Sequence, residues 1–141
     1  MANNNPTEKI KALLNAIKDL GEKLDLEKVV YNEGTNVGQI AFHVGQSANY
    51  WIRVNILNQE FPRNRDAEFN QEHTLEEVLN SINLALKACE ELDKKNFSLD
   101  KKLEKQVEVS PGDFIIDTVG AALIYSTSHT AEHYGELSRQ L

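Results

Sequence analysis

Apolar residues recur at three- and four-residue steps in four separate stretches of the chain, the period of helices that bury one face. In the first stretch Ile10, Leu13, Leu14, Ile17, Leu20 and Leu24 form a stripe, while Lys9, Lys11, Lys18, Asp19 and Glu22 fall on the opposite side. Asn5-Pro6-Thr7-Glu8 ahead of it has the chemistry of a helix start: Asn as N-cap, Pro at the first helical position, and Glu three residues after the cap. Between Leu24 and Gly38 the pattern lapses, and Asn32, Gly34, Thr35 and Asn36 supply turn and cap residues. A second helix is expected from Thr35 or Asn36 to about Gln59, where Phe61-Pro62 stops it. Its inward face is Val37, Ile40, Ala41, Val44, Ala48, Trp51, Ile52 and Asn55, and the small residues Gly38, Ala41, Gly45 and Ala48 let a neighbouring helix approach closely.

Arg63 to Glu72 is polar and aperiodic and reads as a surface loop. Thr74-Leu-Glu-Glu77 restarts the helical period with a capping box, and Leu75, Val78, Leu79, Ile82, Ala85, Leu86, Cys89 and Leu92 are in helical register. Lys94 to Pro111, rich in Lys, Asp and Glu with scattered Leu99, Leu103, Val107 and Val109, reads as a long connection. Ser110-Pro111-Gly112-Asp113 then opens a last helix whose inward positions are Ile115, Val119, Ala122, Leu123, Ser126, Thr130, His133 and Leu137. No period-two run is long enough to suggest a sheet. The expected fold class is all-α, an antiparallel four-helix bundle with long connections, in one domain spanning residues 1–141.

Charge narrows the partners. A net charge of −7 with no Lys/Arg stripe opposes binding to a polyphosphate backbone, so nucleic acid is not an expected partner. No apolar run approaches the length of a membrane span, so no membrane partner is expected either. The single cysteine, Cys89, has no internal disulfide partner and lies on an apolar helix stripe, where a buried inert thiol is expected. The first residues carry neither a basic nor an apolar leader pattern, and a reducing cytoplasm is the expected compartment.

The candidate chemistry lies in the last helix. His129 and His133 are four residues apart, so at 3.6 residues per turn both imidazoles sit on one face and can reach one point. Two nitrogens do not close a metal's coordination sphere, and a third ligand must come from another element. His43, at the edge of the buried stripe of the second helix, is the candidate, whereas His73 lies just before a cap in a polar stretch and reads as a surface residue. The plainer alternative is that these histidines are packed and hydrogen-bonded with no metal.

Two segments carry a resemblance. Asn36-Val-Gly-Gln-Ile-Ala-Phe-His43-Val-Gly-Gln-Ser-Ala-Asn-Tyr-Trp51 and Val119-Gly-Ala-Ala-Leu-Ile-Tyr-Ser-Thr-Ser-His129-Thr-Ala-Glu-His133-Tyr-Gly135-Glu-Leu137 together resemble the DinB-like superfamily, over nearly the whole chain. The resemblance implies a four-helix bundle with three histidines on a divalent metal, often nickel or zinc, and frequently a homodimer. His43, His129 and His133 match those ligand positions one for one. It also implies kinship with metal-dependent transferases that use a low-molecular-weight thiol, bacillithiol or mycothiol, and with a thiol-dependent maleylpyruvate isomerase. The chain departs from the pattern at Tyr134, where Arg is common, and at Glu136, where Gln is common.

A divalent cation on three neutral imidazoles shifts a coordinated thiol or water toward its anion, so the expected activity is transfer of a small thiol to an electrophile, or hydrolysis of an amide or ester. Glu132 and Glu136 flank the histidines and are candidates to orient an imidazole or move a proton. Ser47, Tyr50, Tyr125 and Ser126 are candidates to line a small-molecule substrate pocket. The alternative from a different class is a non-catalytic module, in which the metal only ties two helices together and the surface mediates dimerisation. An open coordination position beside a pocket favours the enzyme; a fourth protein ligand favours the structural role.

Overall fold

A computed structural model describes residues 5–31, 33–109 and 114–141. The expected starting segment of the last helix, Ser110 to Asp113, and the turn residue Asn32 lie outside the described residues. Four long helices form as their periodicity requires: α1 (Glu8–Lys23), α2 (Val37–Asn49), α4 (Leu75–Lys95) and α5 (Val119–Ser138). A short helix, α3 (Arg65–Asn70), precedes α4, and α2 runs on directly as a π-helical segment, Tyr50–Ile56. Between α4 and α5 lie strands β1 (Lys102–Val109) and β2 (Phe114–Thr118).

The all-α four-helix bundle expected from the sequence is therefore corrected. β1 and β2 pair antiparallel, with Val107 opposite Ile116 and Val109 opposite Phe114, and a register irregularity separates Lys102 from Val107. The stretch read as a connection is a strand because Leu103, Val107 and Val109 share one parity and turn toward the protein, whereas Lys102, Glu104, Gln106 and Glu108 face solvent. The final helix starts at Val119, not near Pro111, capped by Thr118, whose Oγ1 accepts from Ala121 N–H at 3.1 Å. Ile115, expected on its buried face, is instead a strand residue and 53% exposed.

Two further boundaries move. Helix α1 begins at Glu8 after Thr7 rather than at Pro6, because Thr7 Oγ1 donates to Asp93 at the far end of α4 (2.8 Å) instead of capping its own helix. Arg63 to Glu72 is no plain loop, since α3 forms within it under an Asn64 N-cap.

The core is one cluster. Ile10, Leu14 and Ile17 of α1 meet Ile40, Val44 and Ala48 of α2, Ile82, Ala85 and Cys89 of α4, and Ala122 and Leu137 of α5, all essentially fully buried. The sheet adds Val109 and Ile116, and the π-helical segment adds Trp51, Ile52 and Ile56. Helix α2 lies almost on the backbone of α4: a Cβ on Gly45 would stand 2.7 Å from Ser81 C and 2.9 Å from Ile82 N. That contact leaves room for hydrogen alone and fixes the height at which α2 presents His43, two residues earlier. No helix among the described residues is long and apolar enough to cross a membrane.

Candidate metal centre

His43 comes from the middle of α2, a helix set by a capping box in which Asn36 Oδ1 accepts from Gln39 N–H (2.9 Å) and Gln39 Oε1 from Asn36 N–H (3.0 Å). His129 and His133 come from successive turns of α5. The structure brings these three imidazoles together, with one nitrogen of each lying within 4.8 Å of the others. His129 Nε2 stands 3.2 Å from His43 Nε2 and 3.1 Å from His133 Nε2.

Each ring has a partner on its outer nitrogen. His43 Nδ1 lies 2.7 Å from Glu68 Oε1, His133 Nδ1 2.5 Å from Glu136 Oε1, and His129 Nδ1 3.4 Å from Ser47 Oγ. A carboxylate can only accept, so it selects the tautomer of His43 and of His133 with the proton on Nδ1, leaving the Nε2 lone pair directed inward. His129 has one Nε2–H to give at most, and it can point at only one of its two neighbours. At least one inward lone pair is then left without a donor, an arrangement that a cation relieves.

The electrostatics agree with neutral rings. Burial, reinforced by His133, His43, Arg63 and Arg65, pushes His129 down to about 3, and burial with His43 pushes His133 down to about 4. Imidazoles that resist protonation keep their lone pairs for a metal. The donor set also fits by size: nitrogens about 2.0–2.1 Å from a tetrahedral metal stand about 3.3 Å apart, close to the two short separations seen.

Glu68 went unrecognised in the sequence, as did the machinery that places it. It is 1% exposed, and Arg63 grips it with Nε on Oε2 (2.7 Å) and Nη2 on Oε1 (3.0 Å). Burial raises the Glu68 pKa, but the hydrogen bonds from His43 and Arg63 more than reverse this and hold it below the ordinary carboxylate value. Helix α3 is pinned in turn by Gln39 Nε2, which donates to Phe69 O and Gln71 O, and by His73 Nε2 on the carbonyls of Ala67 and Glu68 at 3.1 Å each. His73 is thus not a surface residue: it is 8% exposed and stacked on Phe42, with ring centroids 3.9 Å apart. The sequence signal for Glu68 was a lone carboxylate in a polar stretch, which spacing alone cannot connect to a histidine 25 residues earlier.

The other candidates divide. Glu136 is placed on His133, and burial pushes its carboxyl up from the ordinary value, with Arg139 opposing. Glu132 is exposed to solvent. Ser47, Tyr50 and Tyr125 line a cavity of about 330 Å³ that opens beside His43 and His129, with Trp51, Arg63, Arg65 and Glu108 on its other walls. Ser126 is not on that wall; it is 1% exposed and its Oγ is buried without a partner. Cys89 is buried in the core and its thiol is pushed up to about 12, mainly by that burial, so it is not a nucleophile at neutral pH. Among the described residues the cluster holds three ligands and no fourth from the protein. Compared with family models, with curated proteins and with solved structures, the chain matches none.

Proposed function

We propose that His43, His129 and His133 hold a divalent metal, nickel or zinc by the chain's resemblance to the DinB-like superfamily, and that the protein is a metal-dependent enzyme. The observation that carries the reading is the convergence of three Nε2 atoms whose outer nitrogens are occupied by Glu68, Ser47 and Glu136. Carboxylate–histidine pairs of this kind orient metal ligands and raise their basicity. Bound there, a divalent cation polarises a thiol or a water and favours its anion.

The chain's own residues supply the rest. Glu136 would hold the His133 Nδ1 proton and so keep the Nε2 lone pair for the metal, and the cavity lined by Ser47, Tyr50 and Tyr125 would hold a small molecule beside the cluster. A cavity directly beside a three-nitrogen set favours catalysis over a purely structural metal. A low-molecular-weight thiol attacking an electrophile is the favoured reaction by the same resemblance; the chain's own thiol, Cys89, is buried and is not that nucleophile. A homodimer acting in the cytoplasm belongs to the same reading.

Elemental analysis of protein purified without an affinity tag, native and His133→Ala in parallel, tests it. About one metal per chain, lost in the variant, is expected; adding a small thiol to the cobalt-substituted protein then produces a sulfur-to-cobalt absorption band. Absence of metal from the native chain, even after incubation with zinc or nickel, overturns the reading.

A further inference from the structure

We infer that the cavity beside the histidine cluster is selective for small molecules bearing a carboxylate, held by Arg65 with Arg63 beside it. This deepens the metal-centre reading and rests on it for the position of the reacting group, though not for the binding itself.

The chain has four arginines and a net charge of −7, yet two of the four line this one cavity. Their positions differ in kind. Arg63 is fixed, with Nε and Nη2 committed to Glu68 and its guanidinium 5.6 Å from the centroid of the Tyr50 ring. Its Nη1 makes none of those bonds. Arg65 is exposed and forms no ion pair among the described residues. Both guanidinium groups share the lining of this cavity with His43 and His129. An uncommitted guanidinium in the lining of a cavity, in an otherwise acidic protein, is a local positive charge for an anion to meet. Guanidinium is also the group whose planar fork matches a carboxylate.

Glu108 of β1 is the acidic residue of the same lining. It lies on the same wall and forms no ion pair among the described residues, so it opposes negative charge in the cavity. With Arg63 paired to Glu68, Arg65 and Glu108 are the charged lining residues without an ion pair among the described residues. Arg65 is therefore the group left to hold a carboxylate, and Glu108 weakens that hold. The cavity's volume of about 330 Å³ suits a molecule of modest size.

The test is calorimetric titration of succinate, and separately of its neutral diamide, into the full-length metal-free and zinc-loaded protein at low salt. The chains compared are the native one, Arg65→Gln and Glu108→Gln. Succinate is expected to bind the native chain at least about tenfold more tightly than Arg65→Gln, the loss typical of a charge-assisted hydrogen bond. Glu108→Gln should bind it more tightly than the native chain, and the diamide should bind none of them. Equal affinity in native and Arg65→Gln protein, or no binding of succinate to the native chain, overturns the inference. Metal content measured on the same samples separates the two claims. Zinc bound without succinate sinks the carboxylate site alone, and Arg65-dependent succinate binding without zinc sinks the metal centre alone.

Discussion

Glu68 decides how well His43 can act as a ligand, because it fixes both the tautomer and the direction of the ring. Replacing it with Ala leaves Arg63 buried without its anion and frees His43 to rotate. Zinc affinity is expected to fall about 10- to 100-fold, the usual cost of losing an outer partner, as read by competition with a chromophoric chelator. Glu68→Gln, which keeps one accepting oxygen, should lose less. A result in which both variants bind zinc as the native chain does would show that Glu68 merely packs. The histidines also leave a mark on the metal-free protein. His129 sits at about 3 and His133 at about 4, below the 6.5 of an unperturbed imidazole. In the interval between, the unfolded chain binds more protons than the folded one, so stability falls as pH drops from about 6.5 toward 3 and is fully present above 6.5. Urea midpoints of metal-free protein at pH 7 and pH 4.5 measure this, and His129→Gln should narrow the difference. An unchanged difference in the variant would mean that other groups carry the acid sensitivity.

At the scale of elements, the crossing of α2 on α4 at Gly45 sets the position of the whole centre. A methyl group there meets the backbone of Ser81 and Ile82, which cannot swing aside as a side-chain tip can. Gly45→Ala should cost about 1–3 kcal/mol of stability from overpacking and weaken metal binding as well, since His43 shifts with its helix. Denaturant unfolding checks the first and zinc titration the second. The helices were legible because each carries its own apolar stripe and cap: Asn36 and Thr74 cap α2 and α4 as their sequences indicate. The histidine triad was legible for the same reason, since two ligands share one helix and the third lies on a buried face. The sheet was not. In β1 the alternation breaks at Lys105, within the register irregularity, and in β2 the run Phe114-Ile115-Ile116 has no period that separates strand from helix. Helix α3 was missed because its residues are held by tertiary bonds from Gln39 and His73, which no local pattern records.

For the whole molecule, the centre ties together segments that lie far apart in the chain. His43 and His129 are 86 residues apart, and the elements between them include α3, α4 and both strands. A metal that binds only when α2 and α5 are docked has no comparable site in the unfolded chain, so its binding energy becomes folding energy. By mass action, free metal at about a thousand times its dissociation constant adds about 4 kcal/mol. For a chain of this length that corresponds to a Tm rise on the order of 10 °C or more. Zinc or nickel should produce this rise in the native chain and not in His133→Ala, whose two remaining imidazoles leave the set open. Differential scanning calorimetry of both proteins, stripped and reloaded, makes the measurement. An equal rise in both would place the metal elsewhere on this acidic surface. A rise confined to the native chain ties metal binding to the docking of α5 on α2, and both helices also carry walls of the adjoining cavity: Ser47 on α2, Tyr125 on α5.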